Sequence, residues 1–368
     1  MSDFASGETI AAIATPPGAG GVGVVRVSGP AAFSILERIW RGRVRPSKFE
    51  PRKLYLGRIV SEPGTSDRGP VLNLPGPRFQ VPGPGFIDRV LAVKMPAPRT
   101  YTGDDVVEIS CHGSQPVLSG IVAACVAAGA RVAGPGEFTR RAFLAGKMDL
   151  AQAEAVADLI AAQGDRAARV AAMQLDGRLS REIREIAGRV AGIRAQVEAS
   201  IDFPDEGIDG CSAIAWGISA ARDLCERLSS TFGCGRMMKE GVRVAIAGRP
   251  NAGKSSLLNR IVGRDRALVH REPGTTRDVV EGDASIGGVR YTFCDTAGLR
   301  AAGCEVESLG VGRSLAEIAS ADIALLVFDG SREFSGEDRE VIARASGRKA
   351  IFVVNKSDLP QRFDIEEL

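Results

Sequence analysis

The stretch Gly248-Arg-Pro-Asn-Ala-Gly-Lys-Ser255 constrains this chain more than any other. It fits Gly-x4-Gly-Lys-Ser, and its flanks suit it. Residues 242–247 (VRVAIA) read as a buried strand, and residues 255–262 (SSLLNRIV) read as the helix that follows. Such glycines let backbone N–H groups close around phosphate oxygens, and the helix start adds a positive dipole end. Lys254 is then placed to reach the β- and γ-phosphates of a nucleotide, and the Ser255 hydroxyl to ligate Mg²⁺.

Downstream, the remaining parts follow in the order a GTPase requires. Gly274-Thr-Thr-Arg-Asp278 offers a switch threonine, Thr276, able to close on Mg²⁺. Residues 289–294 read as a strand that delivers Asp295-Thr-Ala-Gly298, with Asp295 as a metal-holding acid and the Gly298 N–H as a γ-phosphate sensor. Two further apolar strands, 323–328 and 350–354, follow, and the second leads into Asn355-Lys-Ser-Asp358. The Asp358 carboxylate can accept from guanine N1–H and N2–H₂ together, with Asn355 addressing the opposite edge. Adenine lacks both donors, so the acid selects guanine. Leu299 stands where Ras-like enzymes carry a water-orienting glutamine, so catalysis must borrow a polar group. Glu305 and Glu307, in the loop that follows, are the nearest candidates, and spacing alone weighs that role equally with a solvated switch loop.

The 368 residues suffice for two or three domains. Lys+Arg 47 against Asp+Glu 45 nets +2, so bulk charge selects no partner and any nucleic-acid contact needs a local patch. One run is basic: Arg41, Arg43, Arg45, Lys48, Arg52 and Lys53, interrupted by a single acid, Glu50; it could touch an RNA backbone, but a solvated loop is the commoner reading and the one favoured here. Seven scattered cysteines without a Cys-x-x-Cys, two histidines and no membrane-length apolar run indicate a reduced, cytoplasmic protein without zinc.

In the first part, residues 10–14 and 22–27 read as strands around a glycine-rich loop. Its Gly18-x-Gly20-x-x-Gly23 matches a dinucleotide fingerprint, but Gly23 enters a strand rather than a helix, which rules that reading out. A short helix over 30–40 and strands over 54–60 and 86–93 follow, the latter two separated by a Pro/Gly-rich excursion over 66–85. Glu108 sits within another strand, on its expected wet face. From Asp149 the texture turns helical, and Leu175, Leu179, Ile183, Ile186, Val190, Ile193, Val197 and Ile201 form one stripe, read as bundle core along a single long helix. Another helix is expected over 214–228.

With these residues assembled, the chain resembles the tRNA-modification GTPases of the MnmE/TrmE family. The likeness is carried by TIAAIATPPGAGGVGVVRVSG (9–29), PRTYTGDDVVEISCHG (98–113), PGEFTRRAFLAGKMDLAQAEAVADLI (135–160), ASIDFPDEGID (199–209) and the nucleotide motifs. It implies a multidomain α+β and α/β fold: an N-terminal folate-binding and dimerisation domain (1–145), a helical domain (146–237) and a P-loop G domain (238–368). GTP would be held by Asn251, Ala252, Gly253, Lys254, Ser255 and Ser256, by His270, Gly274, Thr275 and Thr276, by Asp295, Thr296, Ala297 and Gly298, and by Asn355, Lys356 and Asp358. Mg²⁺ would fall to Ser255, Thr276 and Asp295, and K⁺ to Asn251, His270, Glu272 and Thr275. Glu307 matches the acid that orients the attacking water, and with Lys254 it would be catalytic. Arg26, Glu108 and Lys147 match positions that contact 5-formyl- or methylene-tetrahydrofolate. The implied partners are a second copy, tRNA and an FAD-dependent subunit in a heterotetramer, with no membrane. The implied work is aminomethyl-type modification of C5 of the wobble uridine, driven by K⁺-stimulated hydrolysis.

Three departures qualify the likeness. The 66–85 excursion replaces a compact connection, and His270 opens the K⁺ loop where a small hydroxyl residue is usual. Leu368 lies ten residues past Asp358, before the loop that cups guanine, the last strand and helix, and a terminal Cys-x-Gly-Lys. The expectation is a fragment, a frameshifted gene or a shortened paralogue, with weak GTP binding and an unprotected strand at 350–354. The alternatives to the enzyme are an impaired folate-binding and dimerisation module, or a ribosome- or RNA-associated GTPase switch.

Overall fold

A computed structural model describes residues 7–61, 85–203, 211–264, 281–295 and 321–362. The chain divides into two compact units, Met1–Ala153 and Glu154–Leu368.

The first unit is built on a seven-stranded sheet of β1 (Ile10–Ile13), β2 (Gly20–Ser28), β3 (Trp40–Arg41), β4 (Tyr55–Ser61), β5 (Gly85–Met95), β6 (Val106–Gly113) and β7 (Arg131–Val132). Their order is β3-β4-β5-β6-β2-β1-β7, antiparallel throughout except for β1 with β7. Alternation puts Val25, Val27, Ile59, Val90, Ala92, Val107 and Ile109 on a face covered by α1 (Ala32–Ile39) and α2 (Gln115–Ala127). The other face carries Val22, Leu56, Phe86 and Leu91 as exposed apolar residues. Gly23 lies inside β2, as the rejection of the dinucleotide fingerprint requires. The basic run is not simply a solvated loop. It begins in edge strand β3, passes through a 3-10 turn at Pro46–Lys48, and is pinned to the core by Trp40, whose ring meets Phe49 edge-on at 5.3 Å. A Cβ at Gly57 would collide with that ring, so the β4 residue under Trp40 has to be glycine. The unit continues through α3 (Glu137–Leu144), and α4 (Leu150–Ala161) leads onward.

The second unit holds α5 (Asp165–Leu175), α6 (Arg178–Asp202), α7 (Cys211–Ser230) and α8 (Phe232–Glu240). The single long helix expected from the apolar stripe is two helices, because Gly177 adopts φ 80 between α5 and α6. Leu175 to Leu179 keeps helical spacing across the break, which hides it from a periodicity argument. Nor is the stripe a closed core among the described residues. Ile183, Val190 and Ile201 are exposed, while Leu179 and Ile186 line an open groove of about 620 Å³ between α5, α6 and α7.

The nucleotide half is a five-stranded sheet of β8 (Val242–Ala247), β9 (Glu281–Ile286), β10 (Val289–Asp295), β11 (Ile323–Asp329) and β12 (Lys349–Asn355), in the order β12-β11-β8-β10-β9. Four strands run parallel; β9 pairs antiparallel to β10 through a turn at Gly287-Gly288, with φ 60 and 78. After β8 the chain goes to one side for β9 and β10, and returns to the other for β11 and β12. β8 is therefore the switch point, where α/β sheets bind ligands at the carboxyl ends of their strands. Helices α9 (Lys254–Arg264) and α10 (Gly336–Arg344) complete this half among the described residues. Arg236 of α8 pairs with Asp322 at 2.7 Å, just ahead of β11, and Lys239 pairs with Asp158 of α4 at 2.8 Å.

Candidate functional site

Registers place the motif-bearing strand ends on one rim: Asp295 opposite Ile246, Leu326 opposite Ala247, and Asp329 opposite Asn355. The loop from Gly248 to Gly253 leaves β8 at that rim. Gly248 takes φ 155 and passes so close to Val327 that a Cβ would strike its carbonyl oxygen. Asn251 adopts φ 63, a left-handed conformation that asparagine tolerates better than most residues. Lys254 opens α9 almost fully buried, and its ammonium donates to the carbonyls of Gly248 at 2.9 Å and Arg249 at 2.8 Å. Its charge is thus held across the mouth of the loop, while Ser255 and Ser256 stand exposed on the first helical turn. Arg249 braces the loop from outside, reaching Glu337 at 2.7 Å and, at 3.3 Å, Asp338 in the capping box of α10.

The base-reading motif is tied to this loop. Asn355 donates its amide N–H to the Ala252 carbonyl at 2.8 Å, and a Cβ at Gly253 would collide with that amide. One N–H of the Asn355 amide is therefore engaged by the phosphate loop, and Asp358 is an exposed carboxylate. Lys356 takes φ 62 and donates to Asp329 at 2.6 Å. Desolvation alone would raise the Asp329 carboxyl, but Lys356, the Ser331 hydroxyl and the Ser331 N–H outweigh it and hold the pKa at about 2. Motif reading missed Asp329 and Arg249. The available signal for Asp329 was its place at the end of an apolar strand, the position Asp295 occupies on β10. His270, Glu272, Gly274, Thr275, Thr276, Thr296, Ala297, Gly298 and Glu307 lie outside the described residues.

In the first unit, β2 and β6 pair Arg26 directly opposite Glu108, and the guanidinium reaches Glu108 Oε1 through two nitrogens, at 2.8 and 2.7 Å. The rings of Tyr101 and Phe138 flank it, with centroids 5.4 and 5.7 Å from Arg26 Cζ. Lys147 stands apart from this pair, donating to the Pro98 carbonyl at 2.5 Å. Helix α3, which brings Phe138, is anchored by buried Glu137. Burial pushes that carboxyl up, but hydrogen bonds from Arg131, the Gly134 N–H and Arg141 hold it below the ordinary value.

A phosphate loop leaving the switch-point strand, with a guanine-selecting motif braced to it from the sheet edge, defines a P-loop GTP hydrolase. Family models agree with both units: "GTP-binding protein TrmE N-terminus" matches residues 9–147 and "50S ribosome-binding GTPase" matches residues 243–356. Proteins named tRNA modification GTPase MnmE are similar over nearly all of the chain. That of Chloroflexus aurantiacus is 44% identical over 96% of this chain and 73% of its own length. That of Lactiplantibacillus plantarum is 41% identical over 98% and 74%, and that of Geobacter sulfurreducens is 43% identical over 98% and 75%. The chain belongs to the MnmE/TrmE family of GTPases. No helix among the described residues is long and apolar enough to cross a membrane.

Proposed function

We propose that this GTPase serves folate-dependent, aminomethyl-type modification of C5 of the tRNA wobble uridine, working as a homodimer with an FAD-dependent subunit. The observation that carries the reading is one chain joining an Arg26–Glu108 pair between two aromatic rings to a GTP-binding rim. The relatives' names support tRNA as substrate.

At the rim, Lys254 would exchange its loop carbonyls for phosphate oxygens. Ser255, on the first turn of α9, and Asp295, at the end of β10, would offer hard oxygen donors suited to Mg²⁺, with Thr276 as third contributor. Asn251, already in its left-handed conformation, would turn its side-chain oxygen to K⁺, together with His270, Glu272 and Thr275. A monovalent cation there supplies positive charge beside the phosphates, the work of an arginine finger. Glu307 would orient the attacking water. In the first unit Glu108 can accept from a pterin's amide and amino donors, and Arg26 or Lys147 can meet the glutamyl carboxylates. Bound there, the folate supplies a one-carbon unit.

Hydrolysis should be faster in K⁺ than in Na⁺, since a finger of this kind is worth roughly 10³–10⁵ in rate. Equal rates in the two salts, or an unchanged rate in Asn251→Ala, contradict the mechanism. Calorimetry of the full chain with 5-formyl-tetrahydrofolate should show binding that Glu108→Ala abolishes; binding indifferent to that change removes the folate assignment.

A further inference from the structure

The register of the first sheet sets three arginines in a row. Arg41 of β3 lies directly opposite Arg58 of β4, and Arg58 lies directly opposite Arg89 of β5. All three are exposed, and none pairs with a carboxylate among the described residues. Among the described residues, Arg41 donates to the carbonyls of Arg38 and Trp40, at 2.9 and 2.8 Å. Like charges directly opposed across strands destabilise a sheet, and neighbouring strands stand only about 4.8 Å apart. Fold stability therefore gives no reason for the ladder. Beside it, the edge strand leads into the basic run, whose single acid, Glu50, is already held by Lys53 at 2.8 Å. The chain as a whole carries only +2, so this is a local concentration of charge. Phe86, 62% exposed, lies under Arg58 with its ring centroid 5.8 Å from Cζ, a flat apolar surface beside the cations.

We infer that the Arg41–Arg58–Arg89 ladder is a contact surface for the phosphodiester backbone of RNA, with Phe86 as a stacking platform for an unpaired base. A row of guanidinium groups without acids matches a row of phosphates, and base–aromatic stacking tolerates any sequence. A second copy of the chain fits poorly, because a two-fold contact centred on the ladder sets arginine against arginine. That the RNA is tRNA rests on the proposed function.

The test is binding of labelled bulk tRNA to the full chain, followed as salt is raised. R41Q/R58Q/R89Q should weaken binding roughly tenfold at about 0.1 M salt and lower the slope of log K against log salt by about two to three. R41K/R58K/R89K should keep most of that slope. The Gln variant should melt no lower than the parent, since it removes opposed like charges. A control, R178Q/R181Q/R189Q on α6, removes cations already paired with Glu182, Asp176 and Glu185 and should leave the slope alone. The inference is overturned if the ladder variant keeps its affinity and slope, or if the parent shows no salt-dependent tRNA binding. It is also overturned if the variant changes only self-association. Potassium-dependent GTP hydrolysis is measured separately, so the ladder can fail while the GTPase reading stands.

Discussion

Asp329 shows how a residue outside every motif can govern one. Lys356 is a non-glycine residue at φ 62, a conformation that costs on the order of 1–3 kcal/mol and persists only where its surroundings hold it. The Asp329 carboxylate, 2.6 Å from its ammonium, is that hold. Asp329→Asn should weaken GTP binding roughly tenfold, the scale of one charge-assisted hydrogen bond, and a nucleotide titration measures it. The ion pair also sets a pH window. The folded carboxyl is depressed, so its stabilisation is complete above the ordinary aspartate value of roughly 3.9 and is lost as pH falls towards about 2. Acid unfolding of Asp329→Asn should lack that component; an identical acid profile and affinity would remove Asp329 from this role. At this scale the phosphate-loop residues were legible because their geometry is local: glycines at a turn and a lysine at a helix start. Asp329 and the Asn355–Ala252 bond were not, since both depend on which strands become neighbours, and no local spacing encodes that.

Among elements, the buried strands were legible to within a residue or two, since runs such as VRVAIA and IALLVF can be satisfied only between covering layers. The α5–α6 break was not legible, because apolar spacing continues through Asp176-Gly177. The left-handed conformation of Gly177 makes the break testable. Gly177→Ala places a side chain at φ 80, costing about 1–2 kcal/mol. Hydrogen exchange of amides at the ends of α5 and α6 should accelerate accordingly. No change there would mean that the junction readily accepts a continuous helix. The openness of the α6 stripe was equally hidden: periodicity reports which face is apolar, not whether another element covers it. Ile351 and Phe352 on β12, exposed at the edge of the sheet among the described residues, make the same point for a strand.

For the whole molecule, the proposed function rests on the claim that the strand ends of the second unit read a guanine nucleotide, with Asp358 choosing the base. The chain's order of motifs carried that claim before any geometry did, whereas the arginine ladder and the Arg26–Glu108 pair emerge only from sheet register. The direct measurement is base preference in the full chain, by competition between labelled GDP and unlabelled GTP, ATP and XTP, for the parent and for Asp358→Asn. Xanthine carries an oxygen where guanine carries its 2-amino group, so an amide that can donate should accept the base that the carboxylate refuses. The parent should prefer GTP over ATP and XTP by orders of magnitude, and Asp358→Asn should exchange GTP for XTP. A parent that takes ATP as readily as GTP, or an Asp358→Asn variant that still prefers GTP, would contradict that claim.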